Sequence, residues 1–356
     1  MKYLNNLQTS IQSKKDIRSI SLQDMEQFFI ENSEPKFRAK QVYEWLWNKN
    51  AHSFSEMTNI SKSLREKLEN HFVINHIEVD VMQKSTDGTI KNAIKLFDGN
   101  IVESVLIPTE KRTTACVSSQ VGCSLDCTFC ATAKLTRMRN LSAAEIVDQV
   151  ALIDKQSKLY YNKPLSNIVF MGMGEPLLNY NPVIEAIRII TSEKGLRMSP
   201  KRITVSTSGI PKMILKLADE NLKIRLALSL HSAIEKKRNE LMPFSEKFPL
   251  QDILDALQYW YSKTKSRITL EYIVWKDLND TEEDIKALVN FAKKVPTKVN
   301  LIQYNSIGDE HFNQTATENI EKYISTLEKN GIVAKLRKSR GADIDAACGQ
   351  LANKNS

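Results

Sequence analysis

The stretch IVFMGMGEPLLNYNPVIEAIRIITSEKGLRMSPKRITVSTSG, residues 168–209, decides the fold class. It opens on a short apolar run, Ile168–Met171, and nears its end with another, Ile203–Val205; both are typical of buried strands. A helix is predicted between them, because one face has apolar residues at the i, i+3, i+4 and i+7 positions, Val183, Ala186, Ile187 and Ile190. A strand, a helix and a second strand in this order indicate parallel strands joined by a right-handed crossover.

The same alternation continues outside this stretch. Helical spacing returns in residues 143–150, 250–257, 285–292 and 320–327, and the further predicted strands are Ile224–Leu228, Ile268–Val274 and Val299–Ile302. With one more strand ahead of Cys123, the sequence predicts six βα units. We therefore expect an α/β fold, an open or partial (βα)6 barrel, with a flat doubly wound sheet as the alternative.

Composition limits the class of protein. Of the 356 residues, 42% are apolar, which is enough for a folded core and excludes a disordered chain. No apolar run reaches the ~20 residues that cross a bilayer, and residues 1–15 lack the apolar segment of a secretory signal. We therefore expect a cytoplasmic protein.

Four segments are expected along the chain. The first is helical, either a plain structural domain or an RNA-binding accessory domain, because basic residues lie among its aromatic ones. The second predicts β-hairpins, since apolar and polar residues alternate there and two Asp-Gly pairs are typical of tight turns. The predicted boundaries are 1–75 for the helical domain, 76–112 for the hairpins, 113–340 for the barrel and 341–356 for a C-terminal segment carrying Cys348.

Cysteine spacing points to metal chemistry. Four of the five cysteines lie within fifteen residues, and three have the spacing Cys123-x3-Cys127-x2-Cys130. Three thiolates on one loop can hold three irons of a 4Fe–4S cluster and leave the fourth iron open to another ligand, whereas structural zinc wants four protein ligands. Zinc completed by Cys116, Cys348 or a distant histidine is the alternative.

A second candidate site follows the strand Ile168–Met171. Its sequence, Gly172–Pro176, is not a dinucleotide fingerprint, because Leu177 stands where the third glycine would be. The loop instead fits a backbone close to a ligand, with a carboxylate directed at a primary amine; an ordinary βα turn is the alternative. Polar motifs also follow other predicted strands, at Ser206–Gly209, Ser229–His231 and Tyr304-Asn305. Since ligands bind at the carboxyl ends of parallel strands, we expect one shared site.

The cysteine spacing resembles that of the radical S-adenosylmethionine (SAM) superfamily, and longer stretches resemble its RlmN/Cfr family of RNA methyltransferases. These stretches are VSSQVGCSLDCTFCATA, FMGMGEPL, STSG, SLHS, LMPFSEKFPL and DIDAACGQL, and the resemblance runs from about Phe37 onward. It implies a radical-SAM barrel, two molecules of SAM per turnover, and a 4Fe–4S cluster held by Cys123, Cys127 and Cys130. The implied contacts to SAM are Gly174, Glu175, Ser206, Ser229, Leu230, His231 and Asn305.

The resemblance also implies a reaction. Cys348 accepts a methyl group from one SAM, a radical generated from a second SAM removes hydrogen from that methyl, and the carbon radical adds to C2 of adenine. Glu103 removes the ring proton, and Cys116 attacks Cys348 to form a disulfide and release methylated RNA. The alternatives are two inert buried thiols for Cys116 and Cys348 and a solvated carboxylate for Glu103.

The implied substrates are adenosine 2503 of 23S rRNA, in the peptidyl-transferase centre, and adenosine 37 of tRNA. An electron donor such as flavodoxin or ferredoxin and a monomeric state are also expected. Ten basic residues near the polar motifs are either RNA contacts or solvated surface: Lys111, Arg112, Lys134, Arg137, Arg139, Lys201, Arg202, Arg337, Lys338 and Arg340. Cfr typically has alanine where Pro176 stands, so the resemblance favours methylation at C2 over the Cfr-like alternative, methylation at C8. A glycyl-radical activase and a zinc-dependent RNA-binding protein are further alternatives.

Overall fold

The computed structural model describes residues 14–353, which divide into two compact units. One comprises residues 14–76 and 194–196, and the other residues 77–193 and 197–353. Most of the stretch in which we expected no secretory signal lies outside the described residues, as do the last three residues of the predicted C-terminal segment. Among the described residues, no helix is both long and apolar enough to cross a bilayer.

The first unit is helical, as its sequence predicted. Its elements are the short strand β1 (Lys15–Asp16), the helices α1 (Leu22–Glu31), α2 (Phe37–Trp47) and α3 (Lys62–His71), and the short strand β2 (Phe72–Val73), which pairs in parallel with β1. Helix α1 begins at a capping box, in which Ser21 accepts the N–H of Asp24 and Asp24 accepts the N–H of Ser21. The helices bury one apolar face each, with Phe29, Leu46 and Leu68 fully or almost fully buried.

The second unit combines hairpin strands with alternating strands and helices. Its strands are β3 (Glu78–Lys84), β4 (Ile90–Lys95), β5 (Ile101–Pro108), β6 (Thr113–Cys116), β7 (Gln120–Val121), β8 (Arg139–Asn140), β9 (Asn167–Phe170), β10 (Ile203–Thr207), β11 (Arg225–Ser229), β12 (Ile268–Val274), β13 (Thr297–Gln303) and β14 (Val333–Arg337). Its helices are α4 (Ala143–Tyr161), α5 (Tyr180–Thr191), α6 (Pro211–Asp219), α7 (Glu235–Leu241), α8 (Leu250–Thr264), α9 (Glu282–Lys293) and α10 (Thr317–Lys329).

Strand order identifies the architecture. Ten strands form one open sheet in the order β14-β13-β12-β11-β10-β9-β6-β5-β4-β3, in which the seven strands from β14 to β6 pair in parallel and β3 to β5 are antiparallel. The parallel strands follow the order of the chain, whereas a doubly wound sheet reverses its order at a central strand. Each right-handed crossover leads to the next strand in the same direction across the sheet. All the helices therefore lie on one face, and the sheet wraps around itself. The partial barrel of six βα units, with its hairpin extension, is confirmed, and the flat doubly wound alternative is wrong.

One parallel strand and two helices were not predicted. β14 forms the sheet edge, and only Ala334 of its five residues is buried, so it has no apolar run to mark it. Helix α6 begins at Pro211, and α7 has only seven residues, five of them charged. Elements this short or this exposed carry little of the apolar periodicity on which a sequence prediction depends.

Candidate active site

A cleft opens at the carboxyl ends of the parallel strands in the second unit. The lining residues include Cys123, Cys127, Cys130, Gly174, Glu175, Pro176, Ser206, Ser208, Ser229, His231, Glu271, Arg337 and Cys348. The structure therefore brings the cysteine loop (residues 123–130) and most of the polar motifs after the strands into one cleft, as the sequence predicted.

The three cysteines of the cysteine loop, residues 123–130, are half-buried at this cleft. Burial raises the pKa of Cys123 to about 11. Burial and then the neighbouring thiols of Cys130 and Cys123 raise the pKa of Cys127 well above its ordinary value. Crowded thiols of this kind become thiolates when they bind a cation, and soft thiolates are the usual ligands of iron–sulfur clusters. The chemistry of these donors thus fits a 4Fe–4S cluster.

The arrangement of the thiols also favours a cluster site over a site for a single metal ion. Among residues 14–353, no three His, Cys, Asp or Glu side chains gather as ligands of one metal ion. In a cubane cluster each thiolate binds a different iron, so its cysteines need only surround a common cavity. The zinc alternative, which needs four ligands at one point, has no such group among the described residues.

The loop after β9 positions a buried carboxylate. Oε2 of Glu175 accepts the N–H of Ser208 at 2.8 Å, and Oε1 accepts the N–H of Leu177 at 3.1 Å. Burial raises the pKa of Glu175 above its ordinary value, although these backbone donors act in the opposite direction. A ligand ammonium group in the cleft would stabilise the ionised form of this carboxyl, as expected for a contact to an amine.

The local backbone conformation and packing require glycine at position 174, whether or not a ligand is bound. Its φ is +90°, and a Cβ added there would lie 2.4 Å from the Cβ of Gln120. Gln120 in turn accepts the N–H of Glu175 through Oε1 at 2.9 Å. The sequence led us to expect close approach to a ligand, and the structure adds a second reason for glycine, since this loop packs directly on Gln120.

His231 reaches the cleft as a neutral imidazole. Its Nδ1 accepts the N–H of Ile273 at 3.1 Å, so the ring proton is carried by Nε2. Burial, and then the charge of Arg238, lower the pKa of His231 to about 3. The ring lies edge-on to Phe129, with 4.8 Å between ring centroids, which connects the motif after β11 to the cysteine loop.

Arg238 forms hydrogen bonds to two of the polar motifs, and the sequence analysis did not identify it. Its guanidinium is completely buried and donates to the carbonyl oxygens of Ser208 at 2.6 Å, Ser229 at 3.0 Å and also Leu230. Burial lowers its pKa to about 10. A lone arginine in a charged helix has no sequence signal that distinguishes it from solvated arginines. Only the fold shows that it joins the ends of β10 and β11.

Two predicted SAM contacts lie behind the surface of the cleft. Leu230 is fully buried, and its N–H donates to the carbonyl of Glu271 at 3.0 Å. The side-chain amide of Asn305 donates to the carbonyl of Cys348 at 3.3 Å. Their contacts to SAM stay predictions, as do those of Gly174, Glu175, Ser206, Ser229 and His231.

The two remaining cysteines are close enough for their thiols to interact. Cys348 lines the cleft, and Cys116 is buried at the end of β6. Burial, followed by the neighbouring Cys348 thiol, raises the pKa of Cys116 to about 12, and the charge of Arg337 opposes this shift. All five cysteines are free thiols, so the disulfide between Cys116 and Cys348 stays a prediction.

Arg337 and Glu271 form an ion pair beside these cysteines. Nη1 of Arg337 lies 3.3 Å from Oε2 of Glu271, and both residues line the cleft. Cys348 is the main influence that raises the pKa of Arg337. The sequence had suggested Arg337 as an RNA contact and gave no role to Glu271. The structure instead places this paired guanidinium beside Cys348 at the cleft.

Glu103 is neither a solvated carboxylate nor part of the cleft lining. It is 1% exposed on β5, and its Oε1 lies 3.4 Å from Nζ of the buried Lys91. Its Oε2 accepts the N–H groups of Ala352 at 2.8 Å and Asn353 at 3.2 Å. The solvated alternative is therefore wrong, and the role of proton acceptor stays a prediction.

Several of the ten basic candidates are already paired. Arg139 binds Glu145 through both terminal nitrogens, at 2.8 and 2.9 Å, and also pairs with Asp98. Lys134 lies 3.5 Å from Asp309, and Arg340 lies 3.8 Å from Asp87. These pairs reduce the charge available for phosphate, so RNA contacts by individual basic residues stay predictions.

Comparison with known protein families agrees with this site. Residues 15–74 match the model described as the ribosomal RNA large subunit methyltransferase N-terminal domain. Residues 117–292 match the radical SAM superfamily. The second match covers the cysteine loop and most of the parallel strands.

Full-length relatives give the same result. The chain is 66% identical over 341 residues to a probable dual-specificity RNA methyltransferase RlmN of Flavobacterium psychrophilum, covering 96% of this chain and 98% of the relative. It is 40% identical to the dual-specificity RNA methyltransferase RlmN of Geotalea uraniireducens, covering 95% and 96%. A crystal structure of a radical SAM methyltransferase from Sphaerobacter thermophilus superposes with a TM-score of 0.89 at 35% identity, covering 95% of this chain and 99% of that one.

Proposed function

The chain belongs to the RlmN family of radical SAM RNA methyltransferases, and we propose that it methylates carbon 2 of adenosine in 23S rRNA and tRNA through a methyl group carried on Cys348. The observation that carries this proposal is the position of Cys348. Its residue lines the same cleft as Cys123, Cys127 and Cys130. A cysteine that serves as methyl carrier must face the place where the cofactors react, and an ordinary structural thiol has no such requirement.

The cleft has the residues to hold both cofactors. Cys123, Cys127 and Cys130 would hold the 4Fe–4S cluster, and Glu175 would accept a hydrogen bond from the amino group of SAM. Together the cluster and SAM supply one-electron chemistry. An adenine carbon requires this chemistry because it is too weak a nucleophile to attack the methyl group of SAM directly. Neutral His231 offers Nε2–H as a donor at the same cleft.

Cys348 acts first as a nucleophile. Its thiolate attacks the methyl carbon of one SAM, so a C–S bond forms at Sγ as the sulfonium C–S bond breaks. The guanidinium of Arg337 stabilises the attacking thiolate, and the ion pair with Glu271 fixes its orientation. After one hydrogen atom of this methyl group has passed to the radical that a second SAM would supply, the carbon on Cys348 would join C2 of adenine, which would link the protein covalently to RNA.

Two further residues complete the reaction. Glu103 would accept the proton that leaves C2 while the electron pair of that C–H bond returns to the ring, and the unpaired electron of the adduct would pass to the oxidised form of the bound cluster. Cys116 then attacks Sγ of Cys348, which forms an S–S bond and breaks the bond from Sγ to the transferred carbon. That carbon takes the electron pair and acquires a proton to become the methyl group of the product. Burial keeps the thiol of Cys116 protonated at rest, so this thiol must lose its proton when it attacks.

The target must be unstacked before its C2 edge can enter the cleft, so we expect single-stranded or loop RNA as substrate. Adenosine 2503 of 23S rRNA and adenosine 37 of tRNA are the proposed positions. We also propose that residues 1–75 contribute to RNA binding, that flavodoxin or ferredoxin supplies electrons, and that the protein acts in the cytoplasm as a monomer.

The experiment is a methylation assay on unmodified RNA. The protein, reconstituted without oxygen and supplied with SAM and a reductant, is incubated with 23S rRNA fragments and tRNA from cells that lack adenosine methylation. Nuclease digestion and mass spectrometry then identify the product. 2-Methyladenosine supports the proposal, 8-methyladenosine would assign the Cfr-like reaction, and no methyladenosine would contradict both.

A further inference from the structure

A buried ion pair lies outside the cleft, in the hairpin strands of the second unit. Lys91 on β4 and Glu103 on β5 lie 3.4 Å apart, and their side chains are only 3% and 2% exposed. Charged groups are rarely placed so deep unless pairing and hydrogen bonds offset the loss of water. Lys91 satisfies only one of the two carboxylate oxygens.

The second oxygen of Glu103 holds the end of the C-terminal segment. Oε2 accepts the backbone N–H of Ala352 at 2.8 Å and that of Asn353 at 3.2 Å. The side chain of Asn353 also donates to the carbonyl of Ile101 at 2.9 Å. Hydrogen bonds to a carboxylate are stronger than those between neutral groups, so this end is held by charge as well as by backbone.

Cys348 lies between this contact and a second set of contacts. Upstream, Asp343 accepts the hydroxyl of Ser85 at 2.6 Å, and Asp87 accepts the N–H of Gly341 at 3.0 Å. The residue immediately after the cysteine, Gly349, has a φ of +86°, a backbone conformation in which only glycine is unstrained. Asn305 and Ala131 also bind the backbone of Cys348 and Gly349 directly, so loosening one end of this short loop makes its middle more mobile without detaching it.

We propose that Glu103 is a positioning residue, whose carboxylate, held by Lys91, clamps the backbone of Ala352 and Asn353 and so keeps Cys348 at the cleft. The link to methyl transfer rests on the proposed function, but the clamp itself does not.

The test is backbone hydrogen exchange, followed by mass spectrometry, in the cluster-loaded protein without RNA. Ala352→Pro removes the first donor to Glu103 and leaves the buried ion pair intact, and Ala352→Gly is the matched control that keeps the donor. We expect exchange in the peptide spanning residues 342–353 to rise about tenfold in A352P, with β12 unchanged and A352G close to the unaltered protein. Equal exchange in A352P and A352G would overturn the clamp, as would an equal rise in β12.

A second variant removes the clamp from the other side. The double substitution Lys91→Met with Glu103→Leu removes both buried charges together and so leaves neither unpaired. It should raise exchange in residues 342–353 as A352P does. Protection of that segment in the double variant would mean that the proline acted by strain alone and would contradict the proposal.

Turnover separates positioning from general stability. A352P should lower kcat for RNA methylation at least several-fold and leave KM for RNA unchanged, since the change displaces the methyl carrier and not the RNA-binding surface. A matching loss in A352G would contradict the clamp. If the unaltered protein methylates no RNA, the proposed function fails, whereas the exchange measurement still tests the clamp.

Discussion

The side-chain amide of Asn305 lies 3.3 Å from the carbonyl oxygen of Cys348 and donates a hydrogen bond to it. This contact joins the loop after β13 to the C-terminal segment across 43 residues of sequence. Ala131, directly after the cysteine loop, makes a similar contact, donating its N–H to the carbonyl of Gly349 at 2.7 Å. The segment that carries Cys348 is thus held by the loop after β13 on one side and by the residue after the cysteine loop on the other.

The two cysteines outside the cysteine loop should have separable roles. Cys116→Ala should accumulate a covalent protein–RNA adduct, because the carbon joined to adenine then has no thiol to release it. Cys348→Ala should give neither adduct nor product, because nothing carries the methyl group. Denaturing gel electrophoresis with labelled RNA measures the adduct. Methylated RNA from the Cys348→Ala protein would contradict the relay.

Iron binding should depend on the cysteine loop alone. After anaerobic reconstitution the unaltered protein should hold about four irons per chain, and Cys127→Ser should lose most of them because a cluster ligand is gone. Cys348→Ser is the matched control, since this residue lines the same cleft without serving as a ligand, and it should retain the iron. Iron and sulfide assays decide the matter; equal loss in both variants would refute the ligand assignment.

Cys116 should resist alkylation in the folded protein. With its pKa raised to about 12 by burial, roughly one thiol in a thousand is ionised at pH 9. Treatment with iodoacetamide at that pH, followed by peptide mass spectrometry, should leave Cys116 unlabelled, while the same treatment in denaturant labels it fully. Rapid labelling in the folded state would show that the thiol is neither buried nor protonated.

His231 should make the protein less stable in mild acid. Its pKa falls from 6.5 to about 3 on folding, so below pH 6.5 the unfolded chain binds a proton that the folded chain does not. Unfolding is therefore favoured as pH falls, and between pH 7 and pH 5 this residue should cost about 2 kcal/mol. His231→Gln keeps a hydrogen-bond acceptor for Ile273 and removes the titration. Urea unfolding of both proteins at the two pH values gives the difference; an identical pH dependence would exclude a buried neutral imidazole.

The strand–helix framework could be predicted where burial is continuous. β12 runs from Ile268 to Val274, as its sequence predicted, because every residue in it is buried and all of them except Glu271 are apolar or β-prone. The exposed edge strand β14 gave no such signal. The same reasoning placed the cysteine loop and the motifs after β9, β10 and β11 at one end of the sheet, since parallel strands bring their carboxyl ends together.

Long-range polar partners could not be predicted in this way. The sequence around Glu103 gives no indication that its carboxylate binds the backbone N–H groups of Ala352 and Asn353, about 250 residues away. Likewise, Arg238 and Arg337 resemble the other basic residues until the fold buries one and pairs the other with Glu271. Such contacts depend on how separate elements pack, which local periodicity does not encode.

The central claim is that the methyl group passes through Cys348 and loses a hydrogen on the way, and isotopic labelling tests it most directly. The cluster-loaded protein is given SAM with a fully deuterated methyl group together with unmodified RNA, and the methyladenosine released by digestion is weighed by mass spectrometry. We predict a methyl group with two deuterium atoms, because one is removed before the carbon joins adenine and a solvent-derived proton takes its place. A methyl group with all three deuterium atoms would mean direct transfer and would contradict the account.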